Sequence, residues 1–449
     1  GFPRRGTPPE EISPGAESER KVHSMKQKLA ALLAVLAVLL AACGPAAGNS
    51  GSSGSTQSSG VEKTPMEEDL DLFTSTLEEN HKNLYANISK EEFQAEVEQV
   101  RAELPGMSEG QFYYSLRRLL SLVGDAHTSL GFTDSNYRHL TALPFAVMYF
   151  EDGWHLMMLE EQNQQYLGYR LLAIDGTPID EVYAKAKTIM SYENESWARQ
   201  QFSNTINFLD ALKYLGIVGE DADSITLTIQ KGEGSPEETL PLKGMNEEEI
   251  FAAAILQVER RETPATAARG YYRTLDLGDG AFFLQYNTCQ EAEDLPMAEF
   301  VELTSDALCA GQYTKVILDL RYNTGGDSRI FEPMIEKLGE LKEQQGFQVY
   351  VLIGRNTFSS AIINSIQAQE ALDAVLVGEQ TGGSVNGYGE LQSFQLKNTP
   401  IQVYYSTKYF ELIPGYDKDS LYPDQPVAQT YADYVAGVDP EVQAVLGQQ

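Results

Sequence analysis

Between residues 66 and 130 apolar side chains recur at helical spacing. Leu70, Leu72, Phe73 and Leu77 make one row, and Phe93, Val97, Val100 and Leu104 make another. Ser108-Glu-Gly-Gln111 is a capping-box-like start to a third row through Phe112, Leu116, Leu119 and Leu120. This pattern predicts a helical N-terminal domain over 63–140. From Leu143 the texture changes to short β-rich runs, Pro144–Phe150 and Trp154–Leu159 among them, with alternation along Ser224–Gln230. Helical patterns at 180–190 and 202–219 interrupt these runs, so 141–250 reads as a β-rich module of its own. Beyond it, strand-like runs (Ala281–Tyr286, Val316–Leu320, Val349–Ile353, Val375–Gly378) alternate with helical ones (Pro296–Ala310, Ile330–Gln345, Ala361–Leu372). Repeated β-α units favour a largely parallel sheet. The segment 268–449 is therefore expected to be an α/β domain with its functional groups at strand ends.

Two of those strand ends carry candidate chemistry. Ser359 lies where the run Gln348–Gly354 gives way to a helix, a turn that holds a hydroxyl exposed beside the helix's unpaired N–H groups. That is a place for a serine nucleophile, with Ser360 as the alternative. The turn Asn323-Thr-Gly-Gly326 follows another strand. Gly325 or Gly326 there, with the Ser360 N–H, would donate to an oxyanion, because backbone without a Cβ can approach closely. His127, in Gly124–Ser129, offers a base that needs no large pKa shift near neutrality. Asp319 and Arg321 are expected to do structural work, one tying down a loop and the other pairing with a carboxylate near the site.

Composition narrows the classes. The 449 residues carry 33 basic and 65 acidic side chains, a net charge of −32, which disfavours nucleic acid and anionic lipid headgroups as partners. Cys289 and Cys309 are either two thiols or one disulfide, and no spacing for zinc or redox work is present. Without a phosphate-cradling loop or a metal-ligand motif, neither a metal nor an organic cofactor is expected. Met25-Lys-Gln-Lys28 and the apolar run Leu29–Leu40 form a segment too short to span a bilayer comfortably. It ends in Leu40-Ala-Ala-Cys43-Gly44, which resembles the lipobox of bacterial lipoproteins. The resemblance implies a signal peptide at 25–42, a lipid-modified Cys43, a Gly/Ser tether at 43–62, and an extracytoplasmic domain held at the cell membrane. Residues 1–24 are then expected to be upstream sequence.

Four motifs in order, Gly-Asp-Ala-His127-Thr, Asp319-Leu-Arg-Tyr-Asn-Thr-Gly-Gly326, Thr357-Phe-Ser-Ser-Ala361 and Gly378-Glu-Gln-Thr-Gly-Gly383, resemble the tail-specific (C-terminal processing) protease family, which includes the tricorn core protease. The resemblance spans roughly 66–449. It implies a helical N-terminal part, a PDZ-like module and a catalytic α/β domain of crotonase-like topology. Gly168–Ile179 is the stretch that carries the PDZ-like likeness, with a ligand-free spacer as the alternative. Family logic makes Ser359 the nucleophile. Many members use a Ser-Lys dyad, but Ser384 stands where the Lys would be. The tricorn-like branch uses a histidine instead, matched here by His127. Its carboxylate falls in Gly415–Asp419, where Asp417 is the candidate, with Asp125 the nearer carboxylate in sequence and Lys408 a possible alternative base. The chain is thus expected to be a membrane-anchored serine endopeptidase acting on polypeptides through an acyl-enzyme. The alternative is a catalytically inactive relative that binds peptides or another ligand.

Overall fold

The computed structural model describes residues 63–133, 140–263 and 270–447. The signal, the tether, Cys43 and His139 lie outside the described residues. Three helices come first: α1 (Pro65–Asn80), α2 (Lys90–Glu103) and α3 (Glu109–Val123). Each opens on a capping box, Thr64 with Glu67, Ser89 with Glu92 and Ser108 with Gln111, which satisfies N–H groups the helix itself cannot. Their apolar rows close one core through Leu70, Phe73, Phe93, Val97, Phe112 and Leu116. Gly124, left-handed at φ 68, ends α3, and the chain passes through the His127 loop into β1 (Ser129–Phe132).

The β-rich module contains β2 (Phe145–Phe150), β3 (Gly153–Glu160), β4 (Arg170–Ile174), β5 (Thr177–Pro178), α4 (Ile179–Ala186), α5 (Glu195–Ile206) and α6 (Leu209–Tyr214). It continues with β6 (Ser224–Gln230), β7 (Glu237–Lys243), α7 (Glu247–Ala252) and β8 (Ile255–Gln257). Its antiparallel sheet runs β2-β3-β4-β6-β7, with β5 on β4 and β8 on β3. The alternation in β6 buries Ile225, Leu227 and Ile229 in one cluster with Val182 of α4 and Phe202 of α5.

The third part holds β9 (Tyr272–Gly278), β10 (Ala281–Tyr286), α8 (Met297–Ala310), β11 (Lys315–Asp319), α9 (Glu332–Gln345), β12 (Gln348–Ile353), α10 (Ser360–Leu372) and β13 (Val375–Gly378). After these come β14 (Asn386–Gln395), β15 (Ile401–Glu411), β16 (Gln425–Pro426), α11 (Tyr431–Ala436) and α12 (Pro440–Leu446). The main sheet runs β16-β13-β12-β11-β10-β9, parallel from β10 to β16, with β9 antiparallel at one edge. Its central strands are apolar on both faces. Val316, Leu318 and Val351 pack in one cluster with Phe300, Leu338 and Ile366 of the helices; Phe283, Ile317 and Leu352 pack in another with Val442 and Val445 of α12. This is the α/β class expected from the sequence: a helical part, an antiparallel β-rich module and a mostly parallel sheet flanked by helices.

Two long-range ties set the position of the His127 loop. Strand β1 pairs antiparallel with β15, from Ser129 opposite Tyr404 to Phe132 opposite Ile401. The buried Asp69 of α1 accepts from Lys397 N and Asn398 N (2.9 Å each) and from Thr399 Oγ1 (2.8 Å) in the turn of the β14–β15 hairpin. A third tie closes the C-terminus. Arg321 bonds Asp319, Asp439 and Glu441 at 2.9–3.1 Å, so the two motif residues do the structural work expected of them. Burial and the Asp439 charge push Glu441 up to about 7 against the pull of Arg321, because one cation does not neutralise three carboxylates. Cys289 is buried, Cys309 exposed, and both are free thiols. Among the described residues no helix is long and apolar enough to cross a membrane.

Candidate active site

The exit of β12 is pinned before it reaches Ser359. Thr357 Oγ1 donates to Leu320 O and accepts from Gly354 N, both at 3.0 Å. Phe358 N then donates to Asn323 O (3.1 Å). Ser359 follows at φ 53, ψ −125, a conformation that L side chains avoid, and α10 begins at the next residue. This strained strand-to-helix turn leaves the Ser359 hydroxyl at the helix N-terminus.

The glycine turn faces it. Gly325 has φ 107, and a Cβ there would stand 2.8 Å from Ser359 Cβ and 3.1 Å from Ser360 N. Asn323 Oδ1 accepts the Gly325 N–H (2.9 Å), so that donor is already committed. Gly326, at φ 132, bridges Cys289, and its carbonyl accepts from Ser360 Oγ (2.6 Å). Among the described residues the N–H groups of Gly326 and Ser360 have no acceptor, which makes this pair the better match to an oxyanion. The bond to Gly326 also occupies the Ser360 hydroxyl, leaving that of Ser359 the freer of the two.

His127 sits against the turn that carries Ser359. Its ring lies on Phe358 (4.5 Å between centroids), and Phe358 is stacked on Trp197 of α5 at 4.3 Å and 13°. Both ring nitrogens are shielded from solvent and lack a hydrogen-bond partner. Burial lowers the His127 pKa against the pull of Asp125, whose Oδ1 is 3.8 Å from Nδ1, so the imidazole is in its neutral form at pH 7. Asp125 is itself held rigidly. Oδ1 accepts the backbone N–H of His127 (2.9 Å), while Oδ2 accepts from Thr128 Oγ1 (2.5 Å) and His81 Nε2 (3.1 Å). His81 Nδ1 accepts from Asn83 N (3.1 Å), which fixes Nε2 as the donor. Burial alone would raise Asp125; the His81 bond, the His127 ring and Thr128 outweigh it and bring the carboxyl down to about 2.

A third side chain completes the cluster. Glu193, just before α5, accepts from Ala126 N (3.3 Å) and from Ser384 N (2.9 Å). Donor or acceptor atoms of Asp125, His127 and Glu193 all lie within 4.8 Å of one another. Burial, reinforced by the Asp125 charge, pushes Glu193 up to about 7 despite its two N–H donors. Neighbouring residues dock the same segment. Asn194 Nδ2 donates to Thr381 O and Asp419 O, and Ser196 Oγ donates to Gln380 O.

The structure places Ser359 and Ser360 against the Gly325–Gly326 turn and sets His127 on the ring of Phe358, the residue before Ser359, and it groups His127 with carboxylates other than the one expected. Asp417 is exposed on the loop after β15, whereas the carboxylates grouped with His127 are Asp125 and Glu193. Lys408 is an exposed side chain of the hairpin, 3.5 Å from Glu390. Ser384 occupies the expected Lys position, with its hydroxyl on Asp419 O (3.0 Å). Sequence reasoning missed His81 and Glu193, since neither stands in a motif and only the fold brings them to Asp125.

No family model matches the chain, and no curated protein matches it. Solved structures do. Mature CPAF complexed with lactacystin superposes with a TM-score of 0.59 at 13% identity, covering 85% of this chain and 98% of that one. Mature CPAF without it gives a TM-score of 0.55 at 13% identity, covering 85% and 96%. The photosystem II D1 C-terminal processing protease gives 0.40 at 12% identity, covering 85% and 99%. At this identity the likeness to CPAF establishes a shared fold over 85% of the chain.

Proposed function

We propose that this chain is a serine endopeptidase of the tail-specific type, acting on polypeptides without a metal or organic cofactor. The observation that carries the reading is Ser359, strained at φ 53 and packed against Gly325 with the Gly326 and Ser360 N–H groups unclaimed. In the proposed reaction Ser359 Oγ attacks the scissile carbonyl and its proton passes to His127. The C–N bond then breaks as His127 returns that proton to the leaving amine, and water hydrolyses the acyl-enzyme by the reverse sequence. Asp125, not Asp417, is the carboxylate that steadies the imidazolium. The likeness in fold to CPAF and the four ordered motifs support the same reading. A binding-only role is less favoured, because it leaves the strain at Ser359 without a use.

Casein hydrolysis by the wild type, Ser359→Ala and His127→Ala tests this directly. Activity in the wild type and a loss of about a thousandfold or more in both variants is expected; equal activity in Ser359→Ala would sink the reading. CPAF was determined in complex with lactacystin, which supplies a probe here: an adduct on Ser359, absent from Ser359→Ala, is expected by mass spectrometry. We further propose export and a lipid anchor at Cys43, supported by the Leu40-Ala-Ala-Cys43 sequence. Release of Cys43→Ala from the membrane fraction would be the expected sign.

A further inference from the structure

We propose that Glu193 is a positioning residue for His127: delivered by the β-rich module, its carboxylate fixes the His127 loop and strengthens the ring as a base. The proposal rests on the reading of His127 as the base of the peptidase. Its starting point is geometric. Glu193 spans two backbone segments, one oxygen on the N–H of Ala126 beside His127 and the other on the N–H of Ser384 in the loop after β13. It does so within 4.8 Å of both His127 and Asp125. Ser384 is the position where a Ser-Lys enzyme of this type would carry its cation. In this chain the same place is bound to a half-buried carboxyl instead.

The groups facing Glu193 define what its ionisation would do. Asp125 and His127 face it from the loop after α3, and Ser384 faces it from the loop after β13. Gly387 of β14 would bring a Cβ to 3.7 Å of both its oxygens. Behind Asp125 stand His81 (3.1 Å) and Tyr388, whose hydroxyl feels the Asp125 charge. The charge acting on Glu193 is Asp125's, of the same sign. With Glu193 protonated, His127 has one negative neighbour. With Glu193 ionised it has two, which favours the imidazolium formed when the Ser359 proton arrives. Activity should therefore rise through two ionisations, that of His127, lowered by burial, and that of Glu193 near pH 7.

The decisive experiment titrates His127 by NMR with carbon-13-labelled histidine in Ser359→Ala and in Ser359→Ala/Glu193→Gln, alongside pH profiles of kcat/KM for the wild type, Glu193→Gln and Glu193→Asp. Because Glu193 ionises near pH 7, above His127, the His127 signal is expected to show a second inflection near pH 7 in Ser359→Ala that is absent from Ser359→Ala/Glu193→Gln. Above pH 7, kcat is expected to fall about tenfold with KM little changed, the acid limb moving to lower pH. Glu193→Asp, which keeps the charge, should restore part of the loss. A His127 titration curve without the inflection near pH 7, the same in both variants, overturns the proposal, as does a rate loss that leaves the acid limb in place, since that is what a loop tie alone would give. The NMR titration needs no turnover, so a wild type that hydrolyses nothing would remove the peptidase reading and still leave the coupling of Glu193 to His127 decided.

Discussion

At the residue scale the site is built around two left-handed glycines and a left-handed serine, the serine in a conformation only its neighbours make tolerable. Ser359 sits at φ 53 because Phe358 on one side is bonded to Asn323 and α10 starts on the other. Gly325 then has no room for a methyl, which would meet Ser359 Cβ at 2.8 Å. Gly325→Ala is expected to cut kcat/KM about a hundredfold or more by displacing the turn that carries the oxyanion donors. Peptide hydrolysis beside a thermal melt separates this from unfolding. Ser360→Ala loses only the bond to Gly326 O, and a smaller fall in kcat, about tenfold, is expected from a turn that is loosened, not displaced.

At the scale of elements, the site depends on contacts between parts far apart in sequence. Trp197 of α5 stacks on Phe358, whose ring also bears His127. Trp197→Ala removes that wall and should lower kcat about tenfold, while Trp197→Phe keeps an aromatic face and most of the rate. Asp69 of α1 holds the hairpin turn through two backbone N–H groups and a hydroxyl. Asp69→Ala strands those donors, and a loss of about 2–3 kcal/mol in urea unfolding is expected. Activity should weaken with it, because the same hairpin pairs with β1, two residues beyond His127.

For the whole molecule, the perturbed carboxyls set opposite trends with pH. Asp125 titrates near 2 in the fold and near 3.9 in an unfolded chain. Its contribution is therefore complete above about pH 4 and lost as pH falls toward 2. Glu193 and Glu441 are pushed up to about 7, so the folded chain holds protons that the unfolded chain releases near pH 4.3. Stability should then decline as pH rises from about 4.5 to 7, by an amount on the order of a few kcal/mol. Urea unfolding at pH 3, 4.5 and 8 should show a maximum at the middle value. Glu441→Gln should flatten the decline above it; an unaltered slope would show that Glu441 is ionised beside Arg321.

The sequence alone determined the elements and the reactive turns. Helical rows, alternating runs and glycine-rich strand exits are local signals, written in residues a few positions apart, and they placed α1 to α3, the main sheet, Ser359 and the Gly325–Gly326 turn where the structure has them. The tertiary structure decided which side chains surround His127. Asp125 was visible as a neighbour in sequence, but Glu193 reaches it from 67 residues away through the bond to Ala126 N, and His81 reaches Asp125 across 44. Asp417, placed by analogy, lies on an exposed loop. Periodicity reports which face of an element is buried, not which buried faces meet, and a base acquires its carboxylates only where they meet.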